Sequence, residues 1–391
     1  MFPLPRQTRR TQLIDNRQQT RAALQLLKES PLSQIVTELE EHFQFFEQTV
    51  HVSHNASGAT SGLQAIADIV GRLPRSFEER FWFDAQLINA LSLEWNGDDQ
   101  KLSGTLLPRP GKEWGHESVC IPVGPLNGQQ KSINLIHLPG SDTLEGVDLL
   151  TYPFLCHEMA HNLLYFADPY FRPTFERALD IYLNTLRLRS VADQGRARNQ
   201  SQRTINRIAE FWRPGANHQN WAHEMMMDIV ALWTCGPAYL SAFCDELEDQ
   251  DLDPYLVNQQ HPPYAVRAEA LLQASWRLKW HEYGGGIREQ LLKWSKFHHK
   301  KRIRYDYTSL TDPVLIESCV DCALNACEAY QLPKCDMRHI DKVREILRKN
   351  EIPEFGVDLI IAAWMMERWD KNSYQQWEVD VVHRLYESIM P

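Results

Sequence analysis

A chain of 391 residues is long enough for two or three domains, and its 43% apolar and 24% charged residues form an ordinary globular balance with material for a substantial core. The formal net charge of −10 argues against nucleic acid as the main partner, because neutralising phosphates requires a basic surface. Eight cysteines spread through the apolar segments of a large chain favour a reducing cytoplasm over a disulfide framework.

At the start, Pro3, Pro5, Arg6, Arg9 and Arg10 stand where a secretory signal needs a continuous apolar stretch, so no export is expected. Ser30 and Pro31 predict an N-cap and a first helical turn, and Leu32, Ile35, Val36, Leu39, Phe43 and Phe46 follow at helical spacing. The segment from Ser61 to Leu93 continues in the same way until Asn96, Gly97, Asp98 and Asp99 break the pattern. From Glu117 to Leu138 the period changes to two, which predicts a β-hairpin turning at Asn127 and Gly128, with Pro122 confining its strand to an edge or a bulge. A helix is expected from about Thr151, with Pro153 in its first turn and Cys156, Ala160 and Leu163 on one face. Most of the remainder reads as helical, interrupted by the acidic run Asp245 to Asp253, the turn at His261, Pro262 and Pro263, the triple glycine at 284 to 286, and Asp312 with Pro313. No uncharged apolar run reaches the roughly 18 residues of a membrane-spanning helix, so no membrane span is expected.

Within the helix expected after Thr151, His157, Glu158 and His161 form an H-E-x-x-H run. Residues four apart lie one turn above each other, so both imidazoles can reach one metal ion, with Glu158 at the adjacent edge. A zinc ion held in this way lowers the pKa of a coordinated water to about 7, and a neighbouring carboxylate can accept its proton. The bland alternative is a surface histidine pair at helical spacing. A third ligand has to come from elsewhere. Among the Glu-x-x-x-Asp pairs downstream are Glu176 with Asp180, Glu224 with Asp228, and Glu317 with Asp321, and each could supply a carboxylate ligand and a partner for a ligating imidazole.

The order His157, Glu158, His161, then Glu224, Asp228, then His261, Pro262 and Arg267 resembles the gluzincin metallopeptidases, in particular the branch containing the CAAX prenyl proteases and HtpX-type proteases. The likeness spans roughly 110 residues from Cys156 to Arg267, and only its first motif is specific. It implies Glu224 as third zinc ligand, with Glu176, His223 and Glu317 as the other candidates. It further implies Asp228 as hydrogen-bond partner of a ligand histidine, and His261 with Arg267 as supporting or transition-state groups. Two departures stand out: the membrane helices of that branch are missing, and 62 residues separate His161 from Glu224 as an unmatched insertion.

The expected fold class is therefore α+β, mainly α. A zincin-like core over residues 111–312, with a small β-hairpin or sheet beside the metal helix, lies between helical regions at 1–110 and 313–391. An extended peptide could add along the sheet edge. The expected activity is zinc-dependent peptide-bond hydrolysis with Glu158 as general base and His261 or Tyr264 holding the oxyanion, on a peptide or protein substrate. The alternative is a helical regulatory or interaction protein with a structural or inert metal site. The sequence leaves the oligomeric state open. Cys319, Cys322, Cys327 and Cys335 are read as core residues, Lys296 to Arg304 as a solvated linker, Asp245 to Asp253 as a surface loop, and Trp276, Trp280, Trp364 and Trp369 as buried helix residues.

Overall fold

A computed structural model of the chain describes residues 18–25, 33–52, 63, 66–67, 70, 79–97, 102, 105–110, 117–126, 129–138, 144–164, 169–191, 196–213, 220–249, 253–259, 261–298 and 305–390. The chain divides into two compact units, one of Met1–Leu149, Asn350–Leu359 and Met366–Pro391, the other of Leu150–Lys349 and Ile360–Met365. Both are mainly helical, and the three described strands belong to the first.

In the first unit, α1 (Ser33–Val52) buries Val36, Leu39 and Phe43, as their spacing predicts, while the expected cap at Ser30 and Pro31 lies outside the described residues. Helix α2 (Glu79–Asn96) buries Phe83, Leu87, Ile88, Leu91 and Trp95. It ends at Gly97, whose φ of 52° is the left-handed conformation that glycine adopts without a Cβ penalty. The sheet has the order β1-β3-β2. Strands β2 (Glu117–Leu126) and β3 (Gln129–Leu138) form the expected antiparallel hairpin, with Pro122 on an edge strand opposite Ser132 and an irregularity between Val123 and Pro125. Strand β1 (Thr105–Pro110), parallel to β3, is an addition to the expected fold. Its Pro108 and Pro110 obscure the strand pattern, and the edge position tolerates them because only one side of the strand is paired. Late segments return to this unit: the Leu149 N–H donates to Glu378 at 2.7 Å, and Glu94 accepts from the Val357 N–H at 3.3 Å.

The second unit is organised around α6 (Trp221–Cys235), in which every residue is buried. A helix apolar on all sides needs neighbours on all sides. Packed against α6 are α3 (Pro153–Leu164), α5 (Arg196–Trp212), α7 (Pro237–Asp249), α8 (Tyr264–Arg277) and α11 (Pro313–Ala329). Helix α4 (Phe171–Ser190) pairs with α5 and α11, α9 (Gly285–His298) with α7 and α8, and α10 (Tyr305–Leu310) with α5. The expected caps are present: Pro153 opens α3, and Asp312 accepts from the Val314 N–H at 2.9 Å with Pro313 in the first turn of α11. Asn220 caps α6 by accepting from the His223 N–H.

Several expectations change. The division between the compact units falls at Leu149, and α11 packs on α6 within the second unit. Asp245 to Asp249 continue helix α7, because Phe243 and Leu247 bury an apolar stripe on it; residues 250–252 lie outside the described set, as do 299–304. Trp280 and Trp364 are buried, but Trp276 and Trp369 are half-exposed, the former stacked on His281 at 4.4 Å. Cys319, Cys322, Cys327 and Cys335 are all buried as expected, and burial pushes the Cys322 thiol up to about 11 and the Cys335 thiol up to about 12.

Between α6 and α7 sits Gly236, at φ 56° and ψ −131°, where an added Cβ would lie 2.6 Å from Cys335 Sγ. Gly236→Ala is expected to cost about 1–3 kcal/mol from backbone strain alone, with the clash in addition. Gly285→Ala, where nothing lies within 4 Å of the new methyl, should be neutral or slightly stabilising. Chemical denaturation of the two variants beside the parent protein measures both.

Candidate metal centre

Helix α3 is pinned in the core by Leu155, Cys156, Met159, Ala160 and Leu163, all buried. This leaves His157, Glu158 and His161 on the remaining face. The two imidazoles stand 5.3 Å apart between ring centroids at 79°, and ligand-capable atoms of His157, Glu158 and His161 all lie within 4.8 Å of one another. Among the described residues this is the one such cluster of histidine, cysteine and carboxylate groups.

Helix α6 presents two carboxylates to these rings. In its first turn, Glu224 places Oε2 3.6 Å from His157 Nε2 and Oε1 3.9 Å from His161 Nε2. One turn later, Asp228 Oδ1 lies 3.0 Å from His157 Nδ1. A carboxylate beside Nδ1 keeps a ring proton there, so Nε2, which faces Glu224, is the nitrogen that would give up its proton to bind a metal ion. Three further groups hold the carboxylates. Arg267 on α8 donates to both oxygens of Asp228, Nε to Oδ2 and Nη2 to Oδ1, each at 2.7 Å, and its guanidinium lies over the Phe243 ring at 5.2 Å. The hydroxyl of Tyr239 on α7 donates to Asp228 Oδ1. His261, just before α8, places Nδ1 3.2 Å from Glu224 Oε2 while its side chain stays 56% exposed.

Electrostatics follows from these contacts. Burial opposes ionisation of Asp228, but the Arg267 charge and hydrogen bonds outweigh it and hold the carboxyl well below its ordinary range. Burial likewise opposes ionisation of Glu224, and its hydrogen bonds to His157 and His261 overcome it, so that pKa is also lowered. For His157, burial disfavours the charged form, yet the bonds to Asp228 and Glu224 raise the pKa to about 10. Hydrogen bonding to Glu224 raises that of His261. The cluster thus attracts positive charge at the His157 and Glu224 donor atoms. Ligands about 2.0–2.1 Å from a tetrahedral zinc ion are separated by roughly 3.4 Å. The nitrogen-to-oxygen separations of 3.6 and 3.9 Å fit such a donor set, and His157, His161 and either Glu224 or Glu158 could hold the ion.

The other expected candidates lie elsewhere. Glu176 pairs with Arg172 at 3.0 Å and Asp180 with Arg213, whereas Glu317 and Asp321 both face Arg277 at 3.2 and 3.0 Å. His223 is buried beside its own helix cap, with Nδ1 3.0 Å from the Asn220 amide. The Tyr264 hydroxyl donates to Glu246 at 2.9 Å. Tyr239 was not foreseen, since a lone tyrosine after a Gly-Pro turn carries no spacing signal. Comparison with protein-family models, with curated proteins and with solved structures finds no match.

Asp228→Asn leaves Arg267 buried beside a neutral amide and frees the His157 ring. The expected result is a loss of about 3–5 kcal/mol in stability, measured by urea denaturation. A 10–100-fold loss of metal affinity should accompany it, measured by competition with a chelating dye.

Proposed function

We propose that this protein is a zinc metallopeptidase of gluzincin type, built on a zincin-like core that hydrolyses peptide bonds in a peptide or protein substrate. The observation that carries the proposal is the single carboxylate of Glu224, which offers one oxygen to the Nε2 of each H-E-x-x-H histidine while His261 and the N-terminal turn of α6 fix its direction. In this assignment His157, His161 and Glu224 are the ligands. Glu158 remains the base, because it is the carboxylate at the more open edge of the cluster, 12% exposed at the side chain against 4% for Glu224.

Zinc bound there supplies Lewis-acid polarisation of a carbonyl oxygen and acidification of water. The protein supplies the rest. Asp228 holds the Nδ1 proton of His157, so the ring offers its lone pair from Nε2. Arg267 and Tyr239 keep Asp228 ionised and stationary. Glu158 accepts a proton from the attacking water and returns it to the leaving amine, which is the general acid–base contribution of about 10²–10⁴ in rate. His261, fixed at Nδ1 by Glu224 and accessible to solvent, is placed to donate to the developing oxyanion. The described cysteines are free thiols, six of the seven buried, which suits a reducing cytoplasm, and we place the protein there.

Glu158→Gln and His161→Ala separate this reading from an inert or structural metal site. The Gln variant should retain one zinc per chain by elemental analysis while cleavage of a peptide library falls by at least 10²-fold. The Ala variant should lose both metal and activity. Unchanged biological activity in a metal-loaded Glu158→Gln protein would instead favour an interaction protein.

Treatment of the parent protein with a zinc chelator should abolish cleavage, and stoichiometric zinc should restore it. A peptide-cleaving activity indifferent to the chelator counts against the assignment.

A further inference from the structure

The segment that separates the two halves of the metal centre forms an antiparallel helical pair, α4 and α5, with a composition unlike the rest of the chain. Residues 171–213 contain nine arginines and no lysine against four acidic residues, a balance of +5 in a chain whose total is −10. Phe175, Leu179 and Leu183 turn one face of α4 into the core. The far end of the helix does not follow them. Arg187, Leu188, Arg189 and Val191 are all exposed, while Leu186 and Ser190 are half-buried, so most of the last turn of α4 is open within its unit.

Two features coincide there. Ile181, Leu188 and Val191 are 63%, 75% and 67% exposed, and their spacings of seven and three place them on one face, over about 15 Å of helix. Arg187 and Arg189 flank Leu188 at about 100° on either side. Arg177, Arg187, Arg189, Arg198 and Arg203 are exposed and have no carboxylate partner among the described residues. An exposed large apolar residue is ordinary when it stands alone; three on one face inside an arginine cluster are not.

We propose that the α4–α5 hairpin is a docking arm for the surface of an anionic phospholipid bilayer. Headgroup phosphates pair with the arginines, and the acyl boundary just beneath accepts Leu188, Val191 and Ile181, so one partner satisfies both features. Nucleic acid would engage the guanidinium groups and leave the apolar face in water. A second copy of the hairpin would oppose like charges. The acidic remainder of the protein is repelled by such a surface, which directs the arm toward it. No helix among the described residues is long and apolar enough to cross a membrane, so the attachment is peripheral. This inference is independent of the chemistry at His157 and His161.

Co-sedimentation of the full chain with vesicles tests it, using phosphatidylcholine alone or with 30% phosphatidylserine, a composition of roughly physiological anionic charge. Binding is expected to the mixed vesicles only, and to weaken as salt rises to about 0.5 M, where screening is strong. Arg187→Glu with Arg189→Glu should lower partitioning at least tenfold, and Leu188→Ser with Val191→Ser should lower it severalfold, with melting temperatures unchanged because all four side chains are exposed. Lys371→Glu, at an exposed cation in the other unit, should bind as the parent does. The proposal is overturned by equal binding to neutral vesicles or by no binding to the mixed ones. A Lys371→Glu loss as large as that of the arginine pair, or retention on a DNA duplex without retention on vesicles, overturns it as well.

Discussion

A carboxylate on the most buried helix of the second unit has to be neutralised where it stands, and the candidate metal centre grows from that requirement. Asp228 is fully enclosed, on a helix made largely of apolar residues. Taking one ion out of water costs several kcal/mol unless hydrogen bonds and an opposite charge replace the solvent. Arg267 provides two bonds and the charge, Tyr239 a third bond, and His157 a fourth. These partners come from α8, α7 and α3, so satisfying one side chain sets the register of three helices against α6. His157 is oriented as a by-product, with its remaining nitrogen turned to Glu224.

Glu224 repeats the arrangement one turn earlier and with less enclosure. It is held by His261 from a segment that keeps access to solvent, and it faces the two imidazoles with separate oxygens. The environment changes along α6 from a closed ion pair at Asp228 to an open cluster at Glu224. A rigid, buried support beneath an accessible donor set is what a metal site with a free coordination position requires. Glu158, at the outer edge, completes the gradient.

The arginine-rich hairpin shows that net charge is a poor guide to a local surface. A total of −10 conceals a stretch of +5 over residues 171–213, which form the neighbouring helices α4 and α5. The strand β1 and the half-exposed Trp276 and Trp369 are of the same kind. Prolines obscured the first, and composition alone favoured burial of the others.

What the linear order carried by itself was local. Helical spacing set His157, Glu158 and His161 on one face; Asp312 with Pro313 marked a helix start; alternation marked the β2–β3 hairpin; and the separation of Glu224 from Asp228 put two carboxylates on one helical edge. Each follows from a period of 3.6 or 2 or from the chemistry of a cap, which act over a few residues. Tertiary structure decided which of the equivalent Glu-x-x-x-Asp pairs meets the imidazoles, since Glu176 and Glu317 differ from Glu224 only in what packs around them. It also decided that the chain's last segments rejoin the unit bearing the sheet, and that Tyr239 belongs to the network. Contacts between residues tens or hundreds of positions apart leave no periodic trace in a sequence, because they arise when buried surfaces and charges find partners in space.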